Sequence, residues 1–225
     1  MTVCIAALYG GCGGSYLVSD QMTTAHFPIG YEFESEDISK IIKLNDKIYA
    51  LTAGDVIFAS EVIEAAREKL NDGSNTVTVS HAAENVRKTY QEIRKRHIIR
   101  NELESRGLDL DTYYENQQKL VPPIIQMVDE QLRTWNPEVE IIVAGKDNSG
   151  CHIYAIRNPG DTLCHDSIGF VAIGSGAPHA LYSLIESNYK KTMDKDEVIR
   201  LVKQAKLRSE VAPGVGAATS EVFVE

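Results

Sequence analysis

Strands and helices are grouped along this chain instead of alternating, and that order restricts the folds open to it. Residues 3–8 and 16–19 are short apolar runs separated by Gly10-Gly11-Cys12-Gly13-Gly14, whose glycines supply the positive φ of a hairpin turn. Residues 38–44 and 47–52 repeat the pattern around Asn45-Asp46, a two-residue turn. Apolar residues then recur at helical spacing, first at Phe58, Val62, Ala66 and Leu70, then at Ala82, Val86, Tyr90 and Ile93 up to His97. Strand character returns at 139–144, 151–156 and 170–173, with Asp147-Asn148-Ser149-Gly150 as a turn. Two more helices are predicted over 179–189 and 194–208, and a last strand over 221–225. Strands, two helices, strands, two helices and a strand do not make the βαβ repeat of a doubly wound sheet. The order predicts an α+β fold, a four-layer αββα sandwich of two antiparallel sheets flanked by helices.

The 225 residues, 43% hydrophobic, suffice for a core without staples, and a single domain over 1–225 is expected. Residues 97–123 are strongly charged and end in Pro122-Pro123, which cannot continue a helix. They are expected to extend the second helix and return through a surface loop to a third helical segment at Ile124, Val128 and Leu132. A net charge of −9 argues against a nucleic-acid surface. No apolar run reaches the roughly 20 residues of a membrane span and no signal peptide is evident, so a cytoplasmic location is expected. Cys4, Cys12, Cys151 and Cys164 lie without CxxC spacing or nearby histidines, so neither a metal site nor a redox motif is expected, nor any cofactor.

Four motifs carry a resemblance to a known family: Met1-Thr2-Val3, Leu17-Val18-Ser19-Asp20, Ser39-Lys40 through Leu44 to Thr52-Ala53-Gly54, and Ile173-Gly174-Ser175-Gly176-Ala177-Pro178. In this order, and followed by Leu184 to Tyr189, Met193 and Asp196-Glu197, they resemble the proteasome β-subunits and the simpler bacterial ring proteases. Each motif alone is commonplace; a GSG is a generic tight turn, and an Asp and a Lys in strands are ordinarily solvated or paired.

The resemblance implies an N-terminal nucleophile hydrolase. A threonine hydroxyl is a weak nucleophile until a base takes its proton, and a free α-amine, with a pKa near ~7.7, is such a base near neutrality. One residue supplies both groups only when it is first in the chain, so Met1 must leave to expose Thr2. Only methionine removal, without cleavage of a propeptide, is the expected maturation. By resemblance Lys40 lies beside Thr2 and lowers the pKa of its hydroxyl and amine, and Asp20 holds the Lys40 ammonium. The competing reading is that Asp20 and Lys40 form only a core ion pair. Gly54 would present its amide as oxyanion donor, and Ser175 would hydrogen-bond the Thr2 amine. Thr23, Ile38, Ile42, Thr52 and Val56 would line the pocket for the residue preceding the scissile bond, mildly favouring hydrophobic side chains; Ile38 and Ile42 read equally well as core.

The activity implied is a threonine-type endopeptidase acting on unfolded polypeptides or peptides inside a self-associated ring, fed by an ATP-dependent unfoldase. A catalytically silent ring subunit and an amidase or transpeptidase with one defined substrate are the alternatives. Besides the expected lack of a propeptide, two departures stand out. The stretch Arg208-Ser209-Glu210-Val211-Ala212-Pro213-Gly214-Val215-Gly216 lacks the family's Asp and Ser near a glycine pair, with Ser209 or Glu210 as substitutes for the Asp, and residues 97–123 exceed the family's helix connection.

Overall fold

A computed structural model describes residues 2–27, 31–36, 38–71 and 77–225. In chain order the first strands are β1 (Cys4–Tyr9), β2 (Gly14–Asp20), β3 (Thr23–Phe27), β4 (Tyr31–Ser35), β5 (Ile41–Asn45) and β6 (Ile48–Ala53). Helices α1 (Val56–Asn71), α2 (Val79–Ile98), α3 (Leu110–Glu115) and α4 (Pro122–Thr134) follow. Then come β7 (Glu140–Asp147), β8 (Gly150–Arg157), β9 (Asp161–Cys164), β10 (Phe170–Ile173), α5 (Ala177–Glu186), α6 (Lys195–Ser209) and β11 (Thr219–Val224). Among the described residues these strands form an antiparallel sheet of order β10-β1-β2-β11, a second of order β5-β6-β7-β8-β9, and the β3–β4 hairpin.

The two large sheets pack face to face, each with a helical pair outside it, as the element order predicts. Residues of β1 show how one strand serves two layers. Cys4, Ala6 and Leu8 point into the core between the sheets with Leu51, Ile142, Ala144 and Ile153. Ile5, Ala7 and Tyr9 point the other way, onto Val198, Leu201, Val202 and Ala205 of α6. Side chains alternate across a strand, so a strand covered on both faces reads as an unbroken apolar run. In β7 the same division places Ile142 and Ala144 between the sheets and Ile141 and Val143 against α1 and α2.

The segment 97–123 is more ordered than a surface loop. Helix α2, capped by Thr78, which accepts from His81 N, runs into a wider π-type turn over Ile99–Leu103 and stops at Gly107, φ 70°. Asp109 and Thr112 form a capping box that starts α3. Leu103, Tyr113 and Val128 are buried together, giving this region a small apolar cluster of its own. Pro122 and Pro123 open α4 instead of ending a helix, because proline lacks only an N–H that the first turn leaves unbonded anyway. No helix among the described residues is long and apolar enough to cross a membrane.

Three strands escape the sequence patterns. Strands β3 and β4 are missed because residues 23–35 lack apolar alternation, and β9 because it is four residues long and largely exposed.

The C-terminal end of α4 is fixed from within. Arg94, 8% exposed, donates through Nη1 to Leu132 O (3.1 Å) and through Nη2 to Trp135 O (2.7 Å), satisfying carbonyls that the helix end leaves open. This sets the path of residues 136–140, which form one wall of the site described next.

Candidate active site

Thr2 precedes β1 and is 2% exposed. Its backbone is held on one side by the turn after β10, where Gly176 N donates to Thr2 O at 3.0 Å and Thr2 N donates to Ser175 Oγ at 3.1 Å. On the other side, Asp20 N donates to Val3 O at 3.1 Å, continuing the β1–β2 ladder. A side chain on Gly174, φ 89°, would lie 2.4 Å from Thr2 O, so this turn requires glycine.

The Thr2 hydroxyl meets both charged residues of the predicted set. Thr2 Oγ1 donates to Asp20 Oδ1 at 2.9 Å, and Lys40 Nζ donates to Thr2 Oγ1 and, at 2.8 Å, to Asp20 Oδ1. Asp20 is fully buried and the Lys40 side chain is 10% exposed, so this ion pair is little screened by solvent. Asp20 Oδ1 also accepts from Val3 N at 2.9 Å, while Oδ2 accepts from Met22 N at 3.2 Å and Gly216 N at 3.3 Å. A carboxylate receiving this many donors is fixed in direction.

Cys4, the next side chain on the same face of the strand, is buried, with Sγ donating to Thr52 O at 3.4 Å. Burial pushes its thiol well above the usual range despite the nearby Lys40, so it stays protonated and offers no competing thiolate. All four cysteines are free thiols.

Two cavities meet at Thr2. The smaller, about 120 Å³, is lined by Thr23, Ile38, Ile42, Thr52 and Val56 together with Thr2 and Lys40, so these five residues lie around one cavity. Ile38 is 47% exposed and stands at the mouth, whereas Ile42 also packs on the cluster beneath α1 and α2. The larger, about 420 Å³, has Asn136, Glu138, Glu140 and Arg157 facing Thr2 and Ser175. Gly54 borders both; at φ 106°, a Cβ there would come within 1.8 Å of Glu138 O, so the close approach of the segments after β6 and before β7 excludes any side chain.

Ser209 and Glu210, expected as substitutes beside the Thr2 amine, are engaged elsewhere. Ser209 Oγ donates to Ala205 O at 2.8 Å, and Glu210 accepts from Lys206 Nζ at 2.6 Å. The atypical stretch supports the site differently, through the Gly216 amide on Asp20. Lys206, 4% exposed, clamps that stretch by donating to Gly216 O at 2.8 Å and Ala217 O at 2.6 Å. Its signal lay in the sequence: position 206 falls on the apolar face of α6 with Val202, Ala205 and Ser209, an unusual place for lysine. Lys206→Met keeps most of the apolar stem but removes the ammonium, at a cost of about 3 kcal/mol. The melting temperature should fall by roughly 6–12 °C; thermal denaturation showing no shift would mean that the clamp is not structural.

The sequence model of the proteasome subunit family matches residues 97–209, half of the chain. The chain belongs to this family. A proteasome subunit beta 2 of Thermofilum pendens is 32% identical over 118 residues, 51% of this chain and 56% of that protein. A proteasome subunit beta of Ferroglobus placidus is 32% identical over 87 residues, 39% of this chain and 40% of that protein, and the proteasome subunit beta type-2 of Saccharomyces cerevisiae is 29% identical over 101 residues, 44% and 37% respectively. The chain thus spans about half the length of the first of these relatives and less of the others. The likeness is to β-subunits, and for this proteasome-family chain it carries the N-terminal nucleophile hydrolase fold that the four layers display. The family span contains Ser175 and begins C-terminal to Thr2, Asp20, Lys40 and Gly54.

Proposed function

We propose that this chain is a threonine-type endopeptidase whose nucleophile is Thr2 after Met1 has been removed. The observation that carries the reading is the convergence of Asp20 Oδ1, Lys40 Nζ and the Thr2 hydroxyl within hydrogen-bond reach, with Ser175 Oγ at 3.1 Å from Thr2 N. With Met1 attached that nitrogen is a peptide N–H; its removal leaves an amine beside Ser175. The amine takes the hydroxyl proton as Oγ1 attacks the substrate carbonyl, while the Lys40 ammonium stabilises the forming alkoxide. Collapse expels the amine of the leaving peptide, which takes the proton, and leaves an ester on Thr2. Water, deprotonated by the α-amine, then hydrolyses that ester. Gly54 donates its amide to the oxyanion, a role that supplies roughly 3 kcal/mol.

The relatives are named as proteasome β-subunits, which supports assembly of this chain into rings; in this reading each chain enters as one domain with its site facing an interior chamber, to which an ATP-dependent unfoldase delivers unfolded polypeptide. Intact mass establishes loss of Met1; the processed protein is then incubated with a peptide epoxyketone or β-lactone and the adduct is mapped. An adduct on Thr2 is expected, and its absence after verified Met1 removal would sink the proposal. Labelling without cleavage of a broad peptide library would instead assign the nucleophile to one defined amide substrate.

The smaller cavity is apolar at Ile38, Ile42 and Val56 and bears hydroxyls at Thr23 and Thr52, a neutral lining that mildly favours hydrophobic side chains before the scissile bond. A carboxylate at the mouth should invert this. Ile38→Glu is expected to raise kcat/KM for arginine relative to leucine at that position by about 10- to 100-fold, on the scale that pocket contacts discriminate substrates. A paired fluorogenic assay with an unchanged ratio would remove Ile38 from the pocket.

A further inference from the structure

Glu140 joins the two sheets at the site, and no sequence motif marks it. It opens β7, while Gly174 directly follows β10 in the opposite sheet. Glu140 Oε2 accepts from Gly174 N at 3.0 Å, and Oε1 accepts from Arg157 Nε at 2.8 Å. Both carboxylate oxygens therefore have a fixed partner, and all three residues border the larger cavity beside Thr2.

We infer that Glu140 is a positioning residue for the Thr2 amine, acting through the Gly174-Ser175 turn, with Arg157 holding Glu140 in place. The inference rests on the threonine-nucleophile reading. Gly174 has no side chain to restrict its backbone, and its φ of 89° is one conformation among several open to glycine. The turn is tied to Thr2 by Ser175 Oγ and Gly176 N, but Thr2 becomes the chain terminus once Met1 leaves and its amine is then held by side chains alone. The Glu140–Gly174 bond anchors the turn from the opposite side, so that Ser175 meets the amine at a set distance and direction. Glu140 and Arg157 are 34% and 45% exposed, lying on the cavity wall and not in the core. Removing either should leave the fold intact.

The test compares processed wild type with Glu140→Ala, Glu140→Gln and Arg157→Met by epoxyketone labelling rate, kcat and KM, and pH profile. Glu140→Ala should lower kcat and the labelling rate about tenfold with KM within about twofold, as expected for a small misplacement of a reacting group. Ser175 accepting from the ammonium favours the protonated amine, so its loss lowers the amine pKa and moves the acid limb of the profile to lower pH. Glu140→Gln keeps an oxygen for Gly174 N and should retain most of the rate; Arg157→Met should fall between. Hydrogen exchange at the Gly174 amide should quicken in Glu140→Ala, with the melting temperature unchanged. A labelled wild type alongside a Glu140→Ala variant of equal kcat and unmoved acid limb overturns this inference alone. A wild type with verified free Thr2 that does not label overturns the parent reading and this one with it.

Discussion

Thr2→Ala is expected to abolish peptide hydrolysis and epoxyketone labelling together, by about 10⁵-fold or more, the scale seen when a nucleophile is deleted from an intact site. The fold should tolerate the change. Asp20 and Lys40 still pair at 2.8 Å without the hydroxyl, and the backbone bonds of Thr2 to Ser175 and Gly176 do not involve its side chain. Loss of one hydroxyl from this network should cost about 1 kcal/mol. Thr2→Ser keeps the hydroxyl and the amine and should retain substantial activity. The measurement is kcat/KM and adduct mass on protein whose N-terminal residue has been verified. Persistent cleavage by the alanine variant would rule Thr2 out as nucleophile.

The layers were legible because they depend on local patterns, whereas the contacts of the site were expected only through the resemblance that the four motifs carry. The glycine at 174 marks a backbone that approaches Thr2 too closely for a side chain and that at 176 one packed on Val3 and Ser209, while the unbroken apolar run of β1 and the periodicity of α6 show which faces are covered. Thr23, Ile38, Ile42, Thr52 and Val56 reach one cavity because β3, β5, β6 and the start of α1 converge beside Thr2. Glu140 was not legible for the opposite reason. An acid at the start of a strand reads as solvated, and its partner amide lies 34 residues away in the other sheet. Position 216 was hidden too, since a backbone amide bonding Asp20 leaves no side-chain signature. The small cluster of Leu103, Tyr113 and Val128 was obscured by the π-type turn, which shifts the helical period that would have revealed it.

Asp20 gives the test that separates chemistry from packing. Asp20→Ala strips acceptors from five donors and leaves the nearly buried Lys40 ammonium without a counter-charge, which should destabilise the fold by about 3–5 kcal/mol. Melting should fall by roughly 6–20 °C. Asp20→Asn is nearly isosteric, yet its amide NH₂ must face either Thr2, Val3 and Lys40 or Met22 and Gly216, setting donor against donor. It should therefore cost almost as much as alanine, with activity lost in both. If the Asp20→Asn variant melted like wild type, the charge on Asp20 would be dispensable. Were Asp20 and Lys40 only a core ion pair, Asp20→Asn combined with Lys40→Met would restore stability relative to Asp20→Asn and leave hydrolysis unharmed. The geometry at Thr2 Oγ1 predicts the first result without the second: the double variant regains part of the lost melting temperature and stays inactive, because the lysine removed is the group that touches the Thr2 hydroxyl.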